Sequence, residues 1–159
     1  MHSSTVSIVK VDCYNSAAVS AGLERVLQPL GGMECFVKAG EKVLIKPNML
    51  SAKSPDKAVT THPALVREVI LQVRASGGTP FVGDSPGVGG VQRVAEKTGI
   101  LDVLRETGTD LVEFAETREV IGTGTFKRIP LAIPYLEADR VINLPKLKTH
   151  EMMTITCGV

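Results

Sequence analysis

Four short stretches of this sequence carry side chains of the kind that bind or move charge. They are Lys46-Pro47-Asn48, Thr60-Thr61-His62-Pro63, Gly83-Asp84-Ser85-Pro86-Gly87 and Pro145-Lys146-Leu147-Lys148-Thr149-His150. Lys46, Lys146 and Lys148 supply positive point charges for an anion. The glycines of the GDSPGVGG stretch, Gly87 among them, leave the backbone bare, so its N–H groups could approach a phosphate or carboxylate closely. Asp84 is the one carboxylate in these clusters; it could hold a cation, orient a lysine or histidine, or act as a base. His62, Asp84 and His150 are thus the candidates for moving a proton. Lys46, Asn48, Thr61, Ser85, Gly87, Lys146 and Lys148 are the candidates for holding a substrate. Lys146-x-Lys148-x-His150 alternates, which on an extended segment directs all three side chains to one side. Ser85 has no general-base partner evident in the sequence, so nucleophilic serine chemistry is a weak expectation.

Several familiar devices are excluded by spacing. No Gly-Lys-[Ser/Thr] follows the glycine-rich stretch, so it is not a Walker A loop, and Gln92 stands where a GxGxxG motif needs its third glycine. The three histidines form no HxxxH or HxH pair, so no preformed zinc site is expected. A looser divalent-metal site, Asp84 with His62 or His150, is a third possibility. Cys13, Cys35 and Cys157 form no CxxC pair, which rules out an iron–sulfur cluster ligated wholly by this chain's thiolates. An odd, sparse set of cysteines suits a reducing cytoplasm, with each thiol expected to be a small buried hydrophobe.

The elements that must position these residues follow from the apolar periodicity. Val6, Ile8 and Val11 predict a first strand. Asn15 then caps a helix whose inner face is Val19, Leu23, Val26, Leu27 and Leu30, ended by Gly31-Gly32. Lys42 to Lys46 reads as a strand buried on both faces, stopped at Pro47. Pro63 opens a second helix with His62 or Thr61 as its cap, and that helix's N-terminus offers a partial positive charge and free N–H groups. Thr79 to Val82 is a strand, Val91 to Gly99 and Ile100 to Glu106 are helices, and Asp110 to Phe114 is a strand. Arg118 to Ile121 and Phe126 to Ile133 read as a β-hairpin insertion around Gly122-Thr123-Gly124-Thr125. Arg140 to Leu144 is the last clear strand. Strands alternating with helices predict a three-layer α/β fold, a mostly parallel sheet with helices on both faces. In such sheets ligands bind beyond the carboxyl ends of the strands, where all four polar stretches fall.

The 159 residues (16.9 kDa) suffice for one such domain, 1–159. Hydrophobic residues at 43% and charged residues at 22% exclude a disordered chain. A formal charge of +1, 4% aromatics and no Trp exclude a nucleic-acid surface as the first choice. No apolar run of membrane-crossing length occurs, and the N-terminus lacks the basic and apolar regions of a signal peptide. A cytoplasmic protein with no membrane partner is expected, since a formal +1 gives no global field to attract an acidic membrane.

Lys46-Pro47-Asn48, Thr61-His62-Pro63, Gly83-Asp84-Ser85-Pro86-Gly87 and Leu144-Pro145-Lys146-Leu147-Lys148-Thr149-His150, in this order, resemble domain-of-unknown-function family 362 (DUF362). The match spans roughly Val43 to the C-terminus. Its members are commonly described as uncharacterised iron–sulfur cluster-binding proteins. The resemblance implies that a ferredoxin-like segment with [4Fe-4S] motifs often follows the domain. This chain carries no such motifs, so on that resemblance it is expected to be a fragment, with no cofactor of its own and any [4Fe-4S] cluster in missing sequence. An exposed strand edge left by truncation would favour a homo-oligomer. Two functions are expected from these readings. One is an enzyme or binding domain for a small carboxylated or phosphorylated metabolite. The other is an accessory scaffold that docks a ferredoxin-like segment or another electron-transfer partner.

Overall fold

The computed structural model describes residues 4–150, 152 and 154–156. Helix α1 (Ser16–Leu27) begins where Asn15 Oδ1 accepts the N–H of Ala18 at 2.8 Å, the capping bond its residue type offers. A short 3-10 turn, Gln28–Leu30, follows, and the chain leaves it through Gly31 in the left-handed region at φ 90°. Strand β1 (Lys42–Pro47), helix α2 (Pro63–Ala75), strand β2 (Thr79–Asp84), helices α3 (Val91–Lys97) and α4 (Ile100–Thr107) and strand β3 (Asp110–Glu113) come next. Strands β4 (Thr117–Ile121) and β5 (Arg128–Ala132) form an antiparallel hairpin. A one-turn helix α5 (Ile133–Leu136) leads to β6 (Arg140–Leu144), and β7 (Lys148–His150) pairs antiparallel with β8 (Thr154–Thr156).

The main sheet has the order β3-β2-β1-β6, with all neighbours parallel. Ile45 lies opposite Val82 on one side and Ile142 on the other. The chain steps outward from β1 to β2 to β3, then crosses back to place β6 on the far side of β1. The direction of winding therefore reverses between β1 and β6, which is where such sheets open a crevice.

Alternation along β1 sends Val43 and Ile45 into a cluster with Val82 of β2, Val66, Val69, Ile70 and Val73 of α2, and Val94, Ile100 and Leu104 beyond. Leu44 points to the opposite face and is fully buried there as well. Phe81 and Val112 share a cavity of about 300 Å³ with Pro134 and Glu137 at α5. The fold is the expected α/β architecture, a four-stranded parallel sheet flanked by helices with a hairpin insertion.

Two expectations are corrected. Residues 4–14 form no strand: Val6 is 79% and Ile8 88% exposed. β-branched residues favour extended backbone, but a strand also needs a neighbour to pair with, and residues 4–14 pair with no described strand. The sheet accordingly has four strands where five were predicted. Cys13 and Cys35 are exposed rather than buried: Cys13 lies in the extended segment before α1, and Cys35 ends a 3-10 turn, Met33–Cys35, that buries Met33 instead; Cys157 lies outside the described residues. Among the described residues no helix is long and apolar enough to cross a membrane.

Candidate functional site

Strands β1, β2 and β6 end side by side, and their terminal residues are locked together by side chains. Asp84, at the end of β2, is 4% exposed. Its Oδ1 pairs with Lys46 Nζ at 2.6 Å and its Oδ2 accepts the N–H of Met49 at 2.7 Å. A buried carboxylate needs such partners, and these two bind the end of β2 to the turn that follows β1. Thr61 ties β1 to β6. Its hydroxyl donates to the carbonyl of Leu144 at 2.6 Å and accepts the N–H of Asn48 at 2.8 Å. The Thr61 N–H donates to the Asn48 carbonyl at 3.1 Å. Lys148 Nζ reaches back from β7 to donate to Asn48 Oδ1 and, at 2.9 Å, to the Val59 carbonyl.

His62 caps α2 through Nδ1, which accepts the N–H of Ala64 at 3.2 Å. Tyr14 stacks on the same ring, with centroids 3.7 Å apart and planes 8° from parallel. Burial and then the Lys146 charge push the His62 pKa down, so the ring is held neutral. With Nδ1 accepting, the neutral ring carries its proton on Nε2, which is then a donor. Burial, and after it Lys146, also pushes Lys148 below the usual lysine range, while Asp84 acts in the opposite direction. Lys146 itself is half-buried and forms no ion pair among the described residues.

The free N–H groups expected at the start of α2 are not there. Pro63 has none, Ala64 donates to His62 Nδ1, and Leu65 and Val66 donate to the His62 carbonyl. The GDSPG loop is also engaged: Gly87 and Val88 both donate to the Leu50 carbonyl, at 3.1 and 3.3 Å. A Cβ on Gly87 would sit 3.4 Å from the Leu50 side chain, an ordinary van der Waals contact. Ser85 is exposed on the same loop.

The structure thus brings Lys46, Asn48, Thr61, His62, Asp84, Lys146 and Lys148 to one rim. Beside it a cleft of about 540 Å³ is lined by Lys148 and His150 of the β7 segment and by Leu50, Lys57 and Val59 of the facing loop. Lys148, Thr149 and His150 all line this cleft, so its lining does not follow the alternation expected of Lys146-x-Lys148-x-His150. Lys146 does not line it and lies instead within electrostatic reach of His62 and Lys148. His150 is exposed, and its Nδ1 accepts the N–H of Met152 at 3.2 Å. Tyr14 and Lys57 were not foreseen; neither stands in a local pattern that marks it, since each joins the site from another part of the chain.

Among the described residues no three His, Cys, Asp or Glu side chains come together as a metal ion or cluster would require, and Cys13 and Cys35 are separately exposed.

Comparison with known proteins adds a relationship. The family described as "Domain of unknown function (DUF362)" matches residues 43–159. The thylakoid-associated protein of Synechocystis sp. is 41% identical over 155 residues. That alignment covers 98% of this chain and 48% of the relative, so the chain spans about half the relative's length. No solved structure matches.

Proposed function

The chain belongs to the DUF362 family, and on that premise we propose that its rim binds a small carboxylated or phosphorylated metabolite as part of an enzyme. The observation that carries this reading is the state of Lys146. It is a half-buried cation with no counter-ion among the described residues, and it acts unfavourably on both His62 and Lys148. The Lys146 charge beside Lys148 raises the energy of the empty site, and an anion placed against Lys146 removes that penalty.

In this reading Lys146, the Nε2–H of His62 and the partly exposed Lys46 contact the anion. Thr61, Asn48 and Asp84 hold the three strand ends at fixed spacing, so the cations are set before the ligand arrives. Lys148 secures the loop that ends at Val59. His150 and Lys57, in the adjoining cleft, face the remainder of the ligand. His62, kept neutral with its proton on Nε2, is suited to donate that proton towards a developing negative charge.

Free, exposed Cys13 and Cys35 suit a reducing compartment, which supports a cytoplasmic location. The Synechocystis relative is named for association with the thylakoid, and we extend to this chain only a cytoplasmic position beside a membrane.

Calorimetric titration with inorganic phosphate and with citrate tests the site. Binding should weaken by about tenfold or more in Lys146→Ala, the loss of one charge-assisted contact, while the far-ultraviolet circular dichroism stays unchanged. An anion also raises the proton affinity of His62 and Lys148, so binding should take up protons, read from the dependence of the heat on buffer ionisation enthalpy. If the parent protein binds neither anion, or Lys146→Ala binds both equally well, the reading fails.

A further inference from the structure

The β4–β5 hairpin forms its own two-stranded sheet, outside the main one. The N–H of Gly122 donates to the Lys127 carbonyl at 3.1 Å and closes the turn. A Cβ at Gly122 would lie 2.1 Å from the Phe126 carbonyl oxygen, so this tight closure requires glycine. Ile121 and Phe126 flank that turn and are 91% and 74% exposed. Between them lie only Gly122-Thr123-Gly124-Thr125, without charge. Directly behind come Lys127 and Arg128, and the run from Val120 to Ala132 contains no carboxylate. Glu119, one residue before it, is already paired with Arg128 at 3.3 Å. Lys127 has no ion pair among the described residues.

We propose that this hairpin is a membrane-contact finger that docks the protein on a bilayer containing anionic lipid. The order of side chains along the finger matches the layering of such a surface. The uncharged tip with its two large apolar residues enters the acyl boundary, and Lys127, the cation beside it with no ion pair among the described residues, lies level with the phosphates. A standard protein interface engages about 20–30 residues a side; the turn offers six, too narrow a tip for that role. The inference is drawn from the hairpin alone and does not depend on the anion rim.

The chain has no tryptophan, so Phe126→Trp places a single reporter at the tip of the full chain. Its emission should shift to the blue on mixed phosphatidylcholine–phosphatidylglycerol vesicles, shift less on phosphatidylcholine alone, and recover in high salt. In sedimentation with the mixed vesicles, Ile121→Ser combined with Phe126→Ser should lower the partition coefficient by more than about tenfold. Both side chains are exposed, so the double variant should keep the parent circular dichroism spectrum. No emission shift with any vesicle, or unchanged sedimentation of the double variant, overturns the proposal. A blue shift that grows with protein concentration in the absence of vesicles also overturns it, by assigning the tip to contact between copies of the chain.

Discussion

The hydroxyl of Thr61 donates to the carbonyl of Leu144, 83 residues away in sequence, across 2.6 Å. The same oxygen accepts the N–H of Asn48 at 2.8 Å. One small side chain therefore closes the ends of β1 and β6, and every cation of the rim is held relative to that closure. Thr61→Val keeps the shape but leaves a part-buried donor, the Asn48 N–H, and a part-buried acceptor, the Leu144 carbonyl, without this partner. It should cost about 2 kcal/mol in urea unfolding, whereas Thr61→Ser, which keeps the hydroxyl, should recover most of it. Equal losses in the two variants would show that the hydroxyl is not what joins the strands.

Asp84 makes a second joint, between β2 and the turn after β1. Lys46→Met would leave its carboxylate buried with the Met49 N–H as remaining partner. Breaking such a pair from one side is costly, and we expect a loss of about 3 kcal/mol. Replacing both residues, Lys46→Met with Asp84→Leu, should cost less than the sum of the single changes, because no uncompensated charge remains. A double-mutant cycle in denaturant measures this coupling; additive losses would show that the pair is not formed in solution.

His62 sets a pH dependence. Its folded-state pKa lies below its ordinary value of about 6.5, so the unfolded chain binds the proton more readily. Its stabilising contribution is therefore complete above that ordinary value and declines as pH falls below it towards the folded pKa. Protonation of Nδ1 would also remove the acceptor that caps α2. His62→Asn keeps a capping acceptor and cannot titrate. Thermal unfolding followed from neutral to mildly acidic pH should lose part of its downward slope in this variant; an identical slope would place the titration elsewhere.

Lys146 should show opposite effects on stability and binding. Lys146→Met removes a repulsion felt by Lys148 and by the protonated form of His62, so at neutral pH, where Lys148 alone is charged, the free protein should gain a few tenths of a kcal/mol in stability, a modest figure because the side chain is partly screened. The His62 pKa should rise at the same time, as followed by imidazole nuclear magnetic resonance. Phosphate affinity should fall. A residue whose loss stabilises the fold while weakening the ligand is held for binding; lower stability in Lys146→Met would contradict this role.

Local chemistry made much of this molecule readable. Asn15, and either His62 or Thr61, were expected to cap helices; Asn15 and His62 do so, because a cap needs only a side-chain acceptor and an N–H two or three residues away. The short apolar run ending at Pro47 marked the central strand, and Gly122-Thr123-Gly124-Thr125 marked the hairpin turn. The polar stretches were placed at the strand ends because parallel strands all finish on one edge. Val6 to Val11 misled, since β-branched composition reports a preference for extended backbone and not whether a pairing strand is at hand.

Residue order thus determined the elements, their direction and the rim on which the charged groups stand. Folding in three dimensions decided which of those groups remain open to a ligand. Asp84, Thr61 and Lys148 are engaged by Met49, Leu144 and Val59, partners 35 to 89 residues distant, while Lys146 is left without a counter-charge among the described residues. The reason is that capping and periodicity act within a few residues, whereas satisfying a buried charge depends on whichever strands end beside it.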